Sequence, residues 1–245
     1  MKKIAAIILA GGKGKRMKSK DINKVVVPLG DKQMILHTVG RLKELLIGPI
    51  IVVVGFAKES VIKALDGEVV FAEQSKRLGT SHAVMCAIKR VPKDINTVLV
   101  LNGDDSAFYT KGIIKKLIDT HLKENAALSF LTIMVDNPIG LGRVMRDNNG
   151  KVIGIVEEKD ATAKQRKITE INPACYIFEM SFLKKYLKQV KKSEVTGEYY
   201  LTSLIDIAIK NNEKLETVKG GKITWRGINT PEDLKEAERL FLQTK

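Results

Sequence analysis

The stretch Leu9-Ala10-Gly11-Gly12-Lys13-Gly14-Lys15-Arg16-Met17 is the part of the chain best suited to chemistry on an anion. Its glycines admit left-handed backbone angles and let N–H groups approach a ligand, while Lys13, Lys15 and Arg16 add full positive charge beside them. Spacing excludes two familiar phosphate loops. A Walker loop needs glycine five residues before Gly14 and Ser or Thr after the lysine, but Leu9 and Arg16 stand there. A dinucleotide fingerprint needs a third glycine, and Met17 occupies its place. Taken alone, the loop fits a solvated basic turn as well as a phosphate cradle. Asn102-Gly103-Asp104-Asp105 is the second candidate stretch, although an Asp after glycine is also an ordinary turn residue. His82 reads as a packing or capping residue near a helix start, and Tyr199-Tyr200 as core. Cys86 and Cys175 lack metal-type spacing and read as packing residues.

The elements around these residues give them a common edge. Ile4 to Leu9 is a continuous apolar run with β-branched content, the pattern of a strand buried on both faces, and it runs straight into the glycine loop. Similar runs at Ile50 to Gly55, Val69 to Phe71 and Thr97 to Leu101 predict three more strands, the last ending at Asn102-Gly103-Asp104. Between them, Ile35, Val39, Leu42 and Leu46 recur at helical spacing up to Gly48-Pro49. Helices are also predicted over Lys58 to Leu65 and over Thr80 to Lys89, the latter capped by Thr80 or Ser81. Repeated strand-helix-strand units imply a parallel sheet with helices on both faces, whose ligands bind at the carboxyl ends of the strands. The glycine loop and Asp104 both lie at such ends.

The second half is richer in strands. Ala127 to Val135 reads as a strand. Gly142 to Arg146 and Lys151 to Val156 read as a hairpin about Asp147-Asn148-Asn149-Gly150, and Tyr176 to Phe178 as another strand. Helices are predicted over Ser181 to Gln189, Leu201 to Lys210 and after Pro231, with strands at Leu215 to Val218 and around Ile223-Thr224-Trp225. The fold class is therefore α/β, with a mostly parallel, Rossmann-like sheet and a small β-rich lobe on the substrate side. The chain reads as a single domain over 1–245 with no internal repeat or linker.

Composition narrows the partners. No apolar run approaches the ~20 residues of a membrane span, and no small-residue cleavage site follows the N-terminal apolar stretch, so a cytoplasmic, non-membrane protein is expected. Lys and Arg number 42 against 28 Asp and Glu, an excess of 14 that predicts anionic partners: nucleic acid, lipid or polyphosphate. Lys184, Lys185, Lys188, Lys191 and Lys192 lie along one predicted helix and read as a solvated face, whereas Lys13, Lys15, Arg16, Lys18, Lys20 and Lys24 surround the glycine loop.

The ordered set Leu9 to Met17, Lys24, Gly79-Thr80, Gly103-Asp104, Gly142-Arg143, Glu157 and Asn172 resembles the sugar-1-phosphate nucleotidyltransferases. It is most similar to the N-terminal uridylyltransferase domain of the bacterial bifunctional enzymes that make UDP-N-acetylglucosamine. The likeness runs over about residues 3–235. It is closest at Gly154-Ile155-Val156-Glu157-Glu158-Lys159-Asp160-Ala161-Thr162, Glu170-Ile171-Asn172 and Gly197-Glu198-Tyr199-Tyr200-Leu201-Thr202. It implies a reaction in which a nucleoside triphosphate, UTP, and a sugar 1-phosphate, that of N-acetylglucosamine, join with release of pyrophosphate. By the same resemblance, Leu9, Ala10, Gly11, Gly12, Gln74, Gly79, Thr80, Asn102 and Gly103 hold the nucleotide, with Gln74 reading the base. Arg16 and Lys24 bind the phosphates, and Asp104 and Asn229 ligate Mg²⁺. Gly142, Glu157, Asn172 and Thr202 contact the sugar phosphate. Residues 1–110 then serve mainly the nucleotide and 111–245 mainly the sugar. The acetyltransferase domain of the bifunctional enzymes has no counterpart in these residues, and acetyl transfer is not expected.

Departures from the family pattern carry their own expectations. Asn23 replaces the usual proline before Lys24, which predicts a looser approach of that lysine. Asn102 replaces an aromatic residue, and Asp105-Ser106-Ala107 replaces an apolar sequence with proline. Pro173-Ala174 follows Asn172 where a hydroxyl residue and glycine are common. The competing class is a nucleic-acid-binding module driven by net charge, but the sequence holds no recognition motif and its basic residues are spread over several segments. The remaining rivals are a nucleotidyltransferase for another sugar 1-phosphate or another pyrimidine triphosphate, and a sugar-nucleotide sensor without turnover.

Overall fold

A computed structural model describes residues 3–14, 17, 21–65, 67–104, 106–221, 225 and 227–242. In chain order its elements begin with β1 (Ile4–Ala10), the two-residue strands β2 (Pro28–Leu29) and β3 (Lys32–Gln33), α1 (Met34–Glu44), β4 (Ile50–Val54) and α2 (Lys58–Ala64). They continue with β5 (Val70–Glu73), α3 (Thr80–Ala87), β6 (Thr97–Asn102), α4 (Lys111–Glu124), β7 (Leu128–Met134), β8 (Gly142–Arg146) and β9 (Val152–Val156). The last are β10 (Glu170–Asn172), β11 (Cys175–Glu179), α5 (Met180–Tyr186), α6 (Ser203–Lys210), β12 (Leu215–Lys219) and α7 (Pro231–Leu242). The chain divides into two units: Met1–Arg77, His82–Lys111 and Thr224–Lys245 form one, and Leu78–Ser81 with Gly112–Ile223 form the other.

The first unit is built on parallel strands in the order β5-β4-β1-β6. Its apolar runs behave as their composition predicts: Ala5 to Ile8, Ile51 to Val53 and Val98 to Leu101 are fully buried, as expected of strands covered on both faces. Register places Leu9 between Val53 and Asn102, so β1, β4 and β6 end at a common edge, from which the glycine loop and the Gly103-Asp104 turn emerge.

One apolar residue departs from the expected helical stripe. α1 buries Met34, Ile35, Val39 and Leu42, but Leu46 lies beyond its end with φ 56° and is 85% exposed. The N–H of Leu46 returns to Lys43 O and that of Ile47 to Leu42 O, a Schellman closure with leucine at the left-handed position usually held by glycine. The helix therefore stops at Glu44, two residues short of the last apolar residue of its repeat. No sequence pattern announces α4 over Lys111–Glu124, which buries only Ile114, Leu117 and His121 along a largely charged helix. The strand predicted around Ile223-Thr224-Trp225 falls mostly outside the described residues.

In the second unit the order is β11-β7-β10-β8-β9, with β12 added parallel to β7. Apart from β12 its pairings are antiparallel, as the predicted β-rich lobe requires. The hairpin turn between β8 and β9 is fixed by Asp147, whose Oδ1 accepts from the N–H groups of Asn149 and Lys151 at 2.9 Å, and by Gly150 at φ 79°. No helix among the described residues is long and apolar enough to cross a membrane.

Candidate active site

β1 delivers Gly11 and Gly12 into a crowded stretch of the first unit. The N–H of Gly103 donates to Leu9 O at 3.0 Å and that of Phe56 to Gly11 O at 3.2 Å. A Cβ on Gly11 would lie 3.0 Å from Gln74 Oε1, and one on Gly103 would meet Val25 at 3.0 Å, so a side chain at either position would press on its neighbour. Gly12 faces open space, the condition for a backbone N–H to reach a ligand. Gln74, expected to read a base, is buried, and its Nε2 lies 3.1 Å from His82 Nδ1, so the amide donates to the unprotonated ring nitrogen. His82 thus orients Gln74 instead of serving as packing or a cap. Its place in sequence, beside Gly79-Thr80, was the one signal that could have found it.

Asn23 overturns the expected loosening of Lys24. Its side chain is 1% exposed; Nδ2 donates to Ala10 O at 2.9 Å, Phe56 O at 2.8 Å and Gly12 O at 3.3 Å, while Oδ1 accepts from Val25 N at 3.2 Å. The last bond caps a 3-10 turn over Lys24–Val26. This turn carries the Lys24 ammonium to an ion pair with Asp104, to Ile228 O at 2.5 Å and to Asn229 Oδ1 at 3.4 Å. An amide with four backbone partners fixes the turn through its hydrogen bonds.

Asn229 is not the helix cap that its position before Thr230-Pro231 allows. Thr230 Oγ1 accepts from Asp233 N at 3.1 Å and Asp233 Oδ2 accepts from the N–H groups of Asn229 and Thr230 at 3.0 Å, a capping box that leaves the Asn229 amide oxygen facing Lys24. The first unit therefore gathers Lys24, Asp104 and Asn229 beside the ends of β1 and β6. Arg16 and Asp105 lie outside the described residues.

The second unit gathers the residues expected around a sugar phosphate. Glu157 follows β9, Gly142 opens β8, Asn172 ends β10 and Thr202 precedes α6. Thr202 Oγ1 donates to Glu157 Oε1 at 2.8 Å instead of capping α6. A Cβ on Gly142 would lie 3.5 Å from Glu157 Oε2 and 3.1 Å from Ile155. Two adjacent carboxyls are driven apart. Burial pushes Glu157 above the usual range against the opposing Thr202 hydroxyl. Burial also acts upward on Glu158, but the Gly140 N–H and the Arg143 guanidinium outweigh it and hold that carboxyl low. Arg143 is itself 1% exposed and paired with Glu158 Oε2 at 2.5 Å, a supporting role that sequence spacing alone did not reveal.

Gly79 and Thr80 fall in this unit, where they make contacts that the sequence reading did not foresee. Thr80 Oγ1 accepts from Leu201 N at 2.8 Å and Ser81 Oγ donates to Tyr200 O at 3.0 Å, so neither hydroxyl caps α3 as expected. Tyr199 and Tyr200 are half-buried instead of core residues.

The family model described as Nucleotidyl transferase matches residues 5–244. This chain belongs to that family. Among curated proteins, the bifunctional protein GlmU of Caldicellulosiruptor saccharolyticus is 44% identical to this nucleotidyl transferase over 241 residues, covering 97% of this chain and 52% of its own length. The bifunctional protein GlmU of Thermoanaerobacter pseudethanolicus is 40% identical over 243 residues, with 98% and 52% covered. The chain thus spans about half the length of the curated relatives it matches. A solved Bacillus anthracis structure, titled as a glucose-1-phosphate thymidylyltransferase with sucrose bound, superposes with a TM-score of 0.79. It covers 97% of this chain and 95% of its own at 24% identity, a likeness of fold.

Proposed function

We propose that this nucleotidyl transferase transfers a uridylyl group from UTP to N-acetylglucosamine 1-phosphate, releasing pyrophosphate and forming UDP-N-acetylglucosamine, in the cytoplasm. The observation that carries the reading is the Lys24 ammonium held among Asp104, Asn229 and Ile228 O beside the glycine loop. An ammonium ringed by carboxylate, amide and carbonyl oxygens marks a place built for positive charge, and those oxygens are the donors a hard dication takes. Asp104 and Asn229 are the residues that would hold Mg²⁺. Mg²⁺ bound there supplies charge neutralisation on the triphosphate.

The chain's own groups do the rest. The reactants bring about six negative charges near neutral pH, so Lys24 and Arg16 neutralise phosphates before any bond can change. The sugar phosphate has a second pKa of about 6 and attacks as a dianion, so no general base is required. Leu9 to Gly12, with Gln74, Gly79, Thr80, Asn102 and Gly103, fix the nucleotide, and Gly142, Glu157, Asn172 and Thr202 fix the attacker, which makes catalysis chiefly a matter of alignment. Residues 1–110 serve mainly the nucleotide and 111–245 mainly the sugar.

A pyrophosphate-release screen of UTP, dTTP, CTP, ATP and GTP against several sugar 1-phosphates tests the reading. UTP with N-acetylglucosamine 1-phosphate is expected to be the fastest pair, and chelation of divalent metal with EDTA to stop it. A different fastest pair would replace the substrate assignment. Binding without turnover of any pair in the presence of Mg²⁺ would make the protein a sensor.

A further inference from the structure

Asn172 carries an unusual burden. Asn172 is 7% exposed, its Oδ1 accepts from Tyr176 Oη at 2.6 Å and from Ala174 N at 2.9 Å, and its Nδ2 has no partner among the described residues. The orientation of the amide follows from chemistry: a backbone N–H can only donate, so the atom facing Ala174 is oxygen. The Tyr176 hydroxyl then donates to the same oxygen and fixes the amide a second time. A buried NH2 group without a partner is costly, and native structures retain one where a ligand completes it.

The surroundings say what kind of ligand. Asn172 stands directly opposite Gly142 in the β10–β8 ladder, and paired residues project to the same side of a sheet. Gly142 has no side chain, and the place a Cβ would take lies 3.5 Å from Glu157 Oε2. The Asn172 amide and the Glu157 carboxyl thus both neighbour Gly142. Tyr176 is 4% exposed, with its ring 5.8 Å from Phe178 and 6.4 Å from Phe130, so its hydroxyl is aimed by packing.

We infer that Tyr176 is a positioning residue for the sugar phosphate: by holding Asn172 Oδ1, it turns Nδ2 into a fixed donor that accepts only a substrate bearing an acceptor oxygen at that point. This rests on the sugar-phosphate reading of the second unit. Without the Tyr176 hydroxyl the amide loses half of what orients it and can present oxygen to the same substrate atom.

Calorimetric titration of the full chain with N-acetylglucosamine 1-phosphate, beside steady-state kinetics, reads this directly. Tyr176→Phe is expected to weaken sugar-phosphate binding and raise its KM about tenfold while leaving the KM for UTP within about twofold. On an Asn172→Ala background the same change is expected to do almost nothing, because the tyrosine acts through the asparagine. Asn172→Asp keeps both acceptor bonds but removes the donor, and is expected to bind as poorly as Asn172→Ala. Three outcomes overturn the inference: unchanged sugar affinity in Tyr176→Phe, an equal loss on both backgrounds, or parent-like affinity in Asn172→Asp. The last still decides if Tyr176→Phe fails to fold. Parent protein that binds the sugar phosphate without turnover would end the proposed reaction and leave this inference standing, whereas a parent that binds no sugar phosphate would end the inference itself.

Discussion

Asn23 shows how far a single residue can depart from what its type suggests. Read in sequence, an asparagine in place of proline loosens the turn before Lys24; in three dimensions its amide ties Ala10, Gly12, Phe56 and Val25 together. Ala10, Gly12 and Phe56 lie far from Asn23 in sequence, so no local pattern could show those three contacts; only the Val25 bond is local. Asn23→Ala is expected to cost about 2–4 kcal/mol in urea unfolding and to raise the KM for UTP, since three carbonyls lose a donor and the Lys24 turn loses its cap. Glu157 makes a second prediction at this scale. Burial raises its pKa above the unfolded value, so the folded protein holds a proton there that the unfolded chain has lost. Stability from this group is therefore lost as pH rises from the unfolded carboxyl pKa, about 4.3, through the higher folded one. Glu157→Gln is expected to unfold at higher urea than the parent at pH 8 and at equal urea at pH 4, while binding the sugar phosphate less well. Equal stability of the two proteins at both pH values would show that burial does not govern this carboxyl.

Among elements, those with one dominant signal were legible and those with mixed signals were not. β1, β4 and β6 are continuous apolar runs, and their burial follows from that alone. α4 buries three positions amid lysines and polar residues, so its amphipathic stripe is thin. The start of α3 misleads for another reason. Thr80 and Ser81 have the side chains of N-caps, yet both are taken by the backbone of 200–201, with Ser81 N on Tyr199 O and Tyr199 N on Leu78 O completing the junction. A hydroxyl can serve either purpose, and only the fold chooses. Gly79 sits at φ 101°, where a Cβ would lie 2.5 Å from Tyr199 O. Gly79→Ala is expected to displace the 199–201 segment and lower stability by at least about 2 kcal/mol. Thr80→Val, which leaves Leu201 N without its acceptor, is expected to cost about 1–2 kcal/mol. Thermal unfolding of both variants beside the parent measures these losses. A Gly79→Ala protein as stable as the parent would mean that the junction yields without cost.

For the whole molecule, the excess of 14 positive charges predicts an anionic partner without choosing among nucleic acid, lipid and polyphosphate. Much of the surface charge is already answered locally: Lys3 pairs with Asp94, Lys43 with Glu68, Lys58 with Glu73, Lys111 with Glu44, and Lys214 with Glu124. These exposed pairs add little to stability, and each sets a carboxylate beside a cation. A nucleic-acid surface needs a continuous basic track, because each neutralised phosphate adds about −0.9 to the slope of log affinity against log salt. A triphosphate engages few cations at one site, so its dependence must be shallower. Raising NaCl from about 0.05 to 0.3 M, which shortens the Debye length well below about 10 Å, is expected to weaken UTP binding no more than about tenfold and to leave kcat nearly unchanged. Random duplex DNA is expected to show no retention at about 0.15 M. Retention at that salt, with a slope several times that for UTP, would assign the excess charge to a nucleic-acid partner. If only the triphosphate responds, and does so through KM, the charge serves to draw in a polyanionic substrate.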